Sequence, residues 1–81
     1  MKIRVKFFAI LRERAGTSEA MKEVAAGSTV ADLWRQLQGE YPGLDVPGIR
    51  LLYAVNQNYV GLDYKLNDKD EVVFVPPVSG G

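Results

Sequence analysis

The run Glu71-Val72-Val73-Phe74-Val75 decides how this chain folds. Its apolar residues alternate between two sides of an extended strand, with Val72 and Phe74 on one side and Val73 and Val75 on the other. A strand that is apolar on both faces usually lies in the centre of its sheet. We therefore predict a central strand, with one face against the core and the other in need of a further covering layer.

The residues after this strand, Pro76-Pro77-Val78-Ser79-Gly80-Gly81, predict an extended tail. Proline has no N–H for a sheet ladder and favours a polyproline-like chain, while glycine lets a backbone pass through a narrow space. At roughly 3.1–3.3 Å per residue, the six residues span about 20 Å. Frayed termini are common, so the residues alone leave a functional tail and a frayed end as alternatives. We place the folded domain at residues 1–75 and the tail at 76–81.

The beginning of the chain has the pattern of a strand that is buried on one side. Ile3, Val5 and Phe7 alternate with charged residues, which is the period of a half-buried strand. Phe8 is an aromatic residue on the charged side of this alternation, so it either closes the edge of the core or belongs to a partner-binding patch. A short helix is predicted over residues 9–15.

Residues 29–41 contain the strongest helix pattern. Thr29 is the predicted N-cap, and Asp32 three residues later completes a relative of the capping box. Apolar residues then recur at helical spacing. They are Val30, Leu33, Trp34, Leu37 and Tyr41. We expect this helix to cover the sheet, with Trp34 packed against it.

Further strands are predicted at residues 20–25, 51–55 and 59–60. The fold class is therefore α+β, a mixed sheet of about five strands covered on one face by a main helix. Because one good helix covers one face, the other face lacks a full layer of its own. We predict that this outer face docks a partner. Its predicted partner-binding residues are Phe8, Tyr59, Val73 and Val75.

Composition excludes several classes of function. The 81 residues form one domain, and ten basic residues balance ten acidic ones, which disfavours nucleic acid as a partner. No apolar run is long enough to span a bilayer, and the alternating start does not match a signal peptide, so we expect no membrane partner. The chain has no cysteine or histidine, and its carboxylates lack metal-site spacing, so we predict no metal site. We expect no familiar side-chain catalyst.

The order of elements resembles the β-grasp fold of ubiquitin, and three stretches resemble a narrower family. This is the molybdopterin synthase small subunit, the MoaD-type sulfur carrier. The stretches are Val5-Lys6-Phe7-Phe8-Ala9 followed by Leu11-Arg12-Glu13, then Ala54-Val55-Asn56-Gln57, and finally residues 66–72 with Pro76-Pro77-Val78-Ser79-Gly80-Gly81. The family often has Asp-Gly-Asp where this chain has Asp68-Lys69-Asp70, so we expect a positive φ at Lys69.

The resemblance implies that the carboxylate of Gly81 is the working group, carried on a tail formed by Pro76, Pro77, Val78, Ser79 and Gly80. An E1-like adenylating enzyme joins Gly81 to AMP from ATP, and a sulfurtransferase supplies sulfur to give a thiocarboxylate (1-thioglycine). Within the molybdopterin synthase large subunit, in a heterotetramer, that group donates sulfur to cyclic pyranopterin monophosphate. The resemblance implies no permanently bound cofactor and a cytoplasmic location, and we expect the chain alone to catalyse nothing.

Other readings of the tail stay open at this point. A sulfur carrier for thiamine thiazole synthesis or tRNA thiolation would share Gly80-Gly81 and the same chemistry. A ubiquitin-like protein modifier would also be adenylated, but would end in an isopeptide bond to a lysine. A plain β-grasp interaction domain would have an inert tail.

Overall fold

The described part of the chain, residues 1–45 and 50–76 of a computed structural model, forms a five-stranded sheet and two α-helices. Its elements in chain order are β1 (Lys2–Phe7), α1 (Ile10–Ala15), β2 (Glu19–Glu23), α2 (Val30–Glu40), a 3-10 turn (Pro42–Leu44), β3 (Leu52–Val55), β4 (Asn58–Val60) and β5 (Glu71–Val75). The predicted α+β class is confirmed. Of the predicted tail, only Pro76 belongs to the described residues.

The sheet has the strand order β2-β1-β5-β3-β4, so β5 is the central strand, as its apolar run predicts. β5 pairs in parallel with β1, where Phe7 lies opposite Phe74, and antiparallel with β3. The outer pairs, β1 with β2 and β3 with β4, are antiparallel. The predicted mixed sheet is confirmed.

The inner face of the sheet, which carries Val72 and Phe74, is covered by α2. Both residues are completely buried, together with Ile3, Val5 and Phe7 of β1 and with Val30, Leu33 and Leu37 of α2. The Trp34 ring packs on Phe74, with ring centroids 4.9 Å apart, as predicted. The outer face of the sheet carries Val73 and Val75, which are partly exposed.

The beginning of α2 is fixed by a complete capping box. The Thr29 hydroxyl accepts a hydrogen bond from the backbone N–H of Asp32 at 3.2 Å, and the Asp32 carboxylate accepts one from the N–H of Thr29 at 2.9 Å. These bonds satisfy N–H groups that lack partners within the helix. The hydrogen bonds from Thr29, with a smaller contribution from the charge of Arg35, lower the pKa of Asp32 from its ordinary value of 3.8.

Two turns flank β3 and β5, which pair in the middle of the sheet. Asn56 and Gln57 have φ values of 50° and 73°, and they join β3 to β4 in a two-residue hairpin. The buried carboxylate of Asp70 accepts hydrogen bonds at 2.8 Å from the side-chain amide of Asn56 and from the N–H of Asn67. These two hydrogen bonds connect the β3–β4 hairpin to the residues just before β5. Lys69 has the expected positive φ, at 70°.

Candidate functional site

The half of the outer face formed by β5, β3 and β4 is apolar. Val73 lies opposite Ala54 of β3, which in turn lies opposite Tyr59 of β4. Val75 lies opposite Leu52. Residues directly opposite each other in neighbouring strands point to the same face. These two rows therefore place aliphatic and aromatic side chains side by side across three strands.

Phe8 extends this surface onto the end of β1. It follows Phe7, which is in register with Phe74, so Phe8 lies beside Val75. Its N–H donates to the carbonyl oxygen of Phe74 at 3.4 Å, and its side chain is 50% exposed. We name Phe8, Leu52, Tyr59, Val73 and Val75 the apolar patch. It brings together all four residues predicted for partner binding, whose role in binding stays a prediction.

Leu52 is a member of the apolar patch that the sequence did not single out. It is 44% exposed, whereas its neighbour Leu51 packs against the core. The alternation of Leu52, Tyr53 and Ala54 was the available signal, but the run is apolar on both sides. Only the pairing of Leu52 with Val75 assigns it to the outer face.

The other half of the outer face, formed by β1, β2 and the start of β5, is mostly charged, although Met21 of β2 is an exposed apolar residue there. Lys6 pairs with Glu71 at 3.5 Å, and Arg4 pairs with Glu19 at 3.4 Å. Ion pairs this exposed contribute about 1 kcal/mol or less to stability. Lys6 is in register with Val73, so the Lys6–Glu71 pair borders the apolar patch. The outer face therefore combines an apolar half with a polar half.

The apolar patch lies where the tail begins. Because β1 and β5 are parallel, Phe8 and Val75 are at the same end of the sheet, and Pro76 follows Val75 directly. The predicted tail residues Pro77, Val78, Ser79, Gly80 and Gly81 lie outside the described residues, so their roles stay predictions.

The described residues also bear on metal sites and membrane-spanning helices. Within residues 1–45 and 50–76, no cluster of three or more acidic side chains is positioned to hold a metal ion. No helix in that part of the chain is both long enough and apolar enough to cross a membrane.

The ThiS family model matches residues 5–81 of the chain. A molybdopterin synthase sulfur carrier subunit of Escherichia coli K12 is 44% identical over 98% of this chain and 99% of the relative. The subunit of the same name from Chlamydomonas reinhardtii is 41% identical over the full length of both chains. Small archaeal modifier protein 3 of Haloferax volcanii is 32% identical, also over the full length of both.

Solved structures share the fold over nearly the whole chain. SAMP1 of Haloferax volcanii superposes with a TM-score of 0.89 at 28% identity over all of both chains. A putative molybdopterin converting factor subunit 1 of Pyrococcus furiosus gives a TM-score of 0.85 at 32% identity, covering 96% of this chain and 99% of that one. A chain from the complex of subunits 1 and 2 of the Helicobacter pylori molybdopterin-converting factor gives 0.69 at 25% identity, with both chains fully covered. The resemblance stated from the sequence is confirmed: this chain belongs to the ThiS family, with molybdopterin synthase sulfur carrier subunits among its full-length relatives.

Proposed function

We propose that this chain is the sulfur carrier of molybdopterin synthase. The observation that carries the proposal is its full-length identity of 41% and 44% to two molybdopterin synthase sulfur carrier subunits. The Gly80-Gly81 end supports it, because a backbone without side chains suits a terminus that must enter narrow active sites. In this proposal the folded domain carries the tail and binds the partners, and the reactions take place at the end of the tail.

The reactive group is the carboxylate of Gly81. An E1-like enzyme joins this carboxylate to AMP from ATP and releases pyrophosphate, because a free carboxylate is a poor electrophile. The terminal sulfur of a sulfurtransferase persulfide then attacks the acyl carbon and AMP leaves. A thiol reduces the resulting acyl disulfide, which leaves a thiocarboxylate, 1-thioglycine, on the chain and a disulfide between the two thiols. The thiocarboxylate sulfur then forms a carbon–sulfur bond to cyclic pyranopterin monophosphate, and water cleaves the bond between the acyl carbon and sulfur, which regenerates the carboxylate of Gly81. The chain has no cysteine to carry a persulfide, which favours the terminus as the carrier.

The apolar patch is the surface that docks onto the large subunit, with which the chain forms a heterotetramer. The same patch docks onto the activating enzyme. Both complexes form in the cytoplasm. The patch adjoins Pro76, so a partner seated on Phe8 and Val75 receives the tail at a defined point. Pro76-Pro77 then keeps the tail extended, and a chain that is already extended loses less entropy when it enters an active site. The Helicobacter pylori relative, found in a complex of subunits 1 and 2 of its converting factor, supports a partner of this kind.

Intact mass spectrometry tests the proposal. The protein is incubated with ATP, its cognate activating enzyme and a sulfur source, and we expect one oxygen to be replaced by one sulfur at Gly81. A variant that lacks Gly81 is the matched control, because it keeps the whole folded domain but moves the terminal carboxylate back by one residue, to Gly80. An unchanged mass for the full-length protein, under conditions in which the enzyme consumes ATP, contradicts the proposal.

A second candidate is a ubiquitin-like protein modifier, which the 32% identity to small archaeal modifier protein 3 and the superposition on SAMP1 favour. The same activated Gly81 would then be attacked by a lysine amine of another protein. The mass assay separates the two functions when a lysate is added. New high-mass conjugates that depend on Gly81 identify a modifier, whereas a carrier gives the thiocarboxylate without conjugates.

A further inference from the structure

An open hollow lies on the polar half of the outer face. It has a volume of about 440 Å³ and is lined by Lys2, Arg4, Met21, Lys69 and Glu71. Three of these side chains are cationic and one is anionic, although the whole chain has ten basic and ten acidic residues. The hollow therefore carries an excess of positive charge that the chain as a whole lacks.

Two of the three cations, Lys2 and Lys69, have no carboxylate partner. Both are exposed, and neither makes an ion pair within residues 1–45 and 50–76. They are neighbours, because the N–H of Lys69 donates to the carbonyl oxygen of Lys2 at 2.7 Å. The carboxylate of Asp68 accepts the N–H of Lys2 at 2.7 Å and offsets part of their charge. Since like charges repel, an additional acidic group beside these two lysines is favoured.

The hollow adjoins the apolar patch but is far from the root of the tail. Glu71 lines the hollow and pairs with Lys6, which lies opposite Val73 of the patch. At the far end of β1, Lys2 is about 20 Å from Phe8, at roughly 3.3 Å per residue. An interface of standard size has about 20–30 residues on each side, many more than the apolar patch supplies. A partner seated on the patch therefore extends beyond it, and the hollow is within its reach.

We infer that the hollow binds an acidic segment of the activating enzyme when that enzyme docks on the apolar patch. Exposed charges act mainly on the rate of encounter and on the choice of partner. In the proposed function the chain is a subunit of the synthase but a substrate of the activating enzyme, and a substrate has to find its enzyme for each reaction. A cationic hollow therefore suits the activating enzyme. The inference rests on the proposed function and adds to it a second contact of stated charge.

The test replaces both lysines in one variant, Lys2→Gln with Lys69→Gln. The KM and kcat of the activating enzyme for the chain are measured by pyrophosphate release. At low salt we expect the KM to rise about three- to tenfold, because two exposed charge interactions are lost. The kcat should not change, because the hollow is remote from the tail and its contact is the same before and during the reaction. At about 1 M salt, where screening confines charge interactions to about 3 Å, variant and parent should converge.

The matched control is Lys65→Gln with Arg35→Gln, which makes the same change in net charge. Both of these side chains are exposed and lie outside the hollow. We expect the control to keep the KM of the parent. An equal rise in both variants overturns the inference, because net charge and not the hollow then decides recognition. An unchanged KM in the hollow variant, or a rise that persists at about 1 M salt, also overturns it.

The large subunit separates the two partners. Its affinity for the hollow variant, measured by calorimetry, should equal its affinity for the parent. A similar loss for the large subunit overturns the assignment of the hollow to the activating enzyme. Failure of the proposed function is distinguishable, because the parent itself would then gain no sulfur in the mass assay, whereas failure of the inference leaves the sulfur loading of the parent intact.

Discussion

Both faces of β5 carry apolar residues, but one face is buried in the core and the other is partly exposed. Val72 and Phe74 are completely buried beneath α2, whereas Val73 and Val75 are partly exposed on the outer face. Burial of apolar surface stabilises a fold by about 25 cal/mol per Å². Side chains on the inner face contribute this energy to folding, and those on the outer face leave much of it unused. The difference supports the proposed docking of a partner on the outer face.

The most direct test of this difference is to replace one phenylalanine on each face of the sheet by alanine. Phe74→Ala should lower the free energy of unfolding by about 3–5 kcal/mol, because it leaves a cavity beneath Trp34. Phe8→Ala, its matched control, removes a ring that is 50% exposed and should cost about 1 kcal/mol or less. Denaturant unfolding of both variants measures the contrast. Equal losses would mean that Phe8 belongs to the folding core.

A charge placed on the outer face tests the other side of the comparison. Leu52→Asp should weaken binding to the large subunit about 30-fold or more, because it leaves a carboxylate unpaired in an apolar interface. Its free energy of unfolding should change little. Leu62→Asp is the matched control, since Leu62 is also 44% exposed but lies outside the apolar patch. Titration calorimetry gives both affinities, and equal losses at the two positions would contradict a localised docking surface.

The sequence predicted the inner face better than the outer one, for a physical reason. β5 and α2 were predictable because their signals are local: a two-sided apolar strand, a capping box and a helical stripe. The membership of Leu52 was not, because a shift of one residue in register moves each side chain to the opposite face. The positive φ of Ala9, 55°, was not predictable either, because glycine and not alanine is the residue that favours such a conformation.

Part of the free energy of unfolding should depend on pH through Asp32, in the capping box of α2, the helix that covers the inner face. The pKa of Asp32 is lowered in the folded protein, so its contribution to stability is present above its ordinary value of 3.8 and is lost as pH falls through the folded pKa. Asp32→Ala should therefore be less stable than the parent at neutral pH, and the two should converge in acid. Thermal unfolding across pH measures this. Affinity for the large subunit should not change at neutral pH, because α2 lies on the opposite side of the sheet from the apolar patch.

The smallest effect is expected at the turn that leads into β5, which supports both faces. Lys69 has a φ of 70°, a conformation disfavoured by about 1 kcal/mol or more for a residue with a Cβ. Lys69→Gly relieves this strain but also gives the unfolded chain more freedom, which offsets about 0.5–1 kcal/mol. The net result should be a gain of about 0.5 kcal/mol in the free energy of unfolding. The backbone bond from the N–H of Lys69 to the carbonyl oxygen of Lys2, at 2.7 Å, does not need the side chain and is retained. Affinity for the large subunit should be unchanged, because the turn is at the end of β5 away from Val75. A loss of stability would mean that the Lys69 side chain contributes more to the fold than its backbone strain costs.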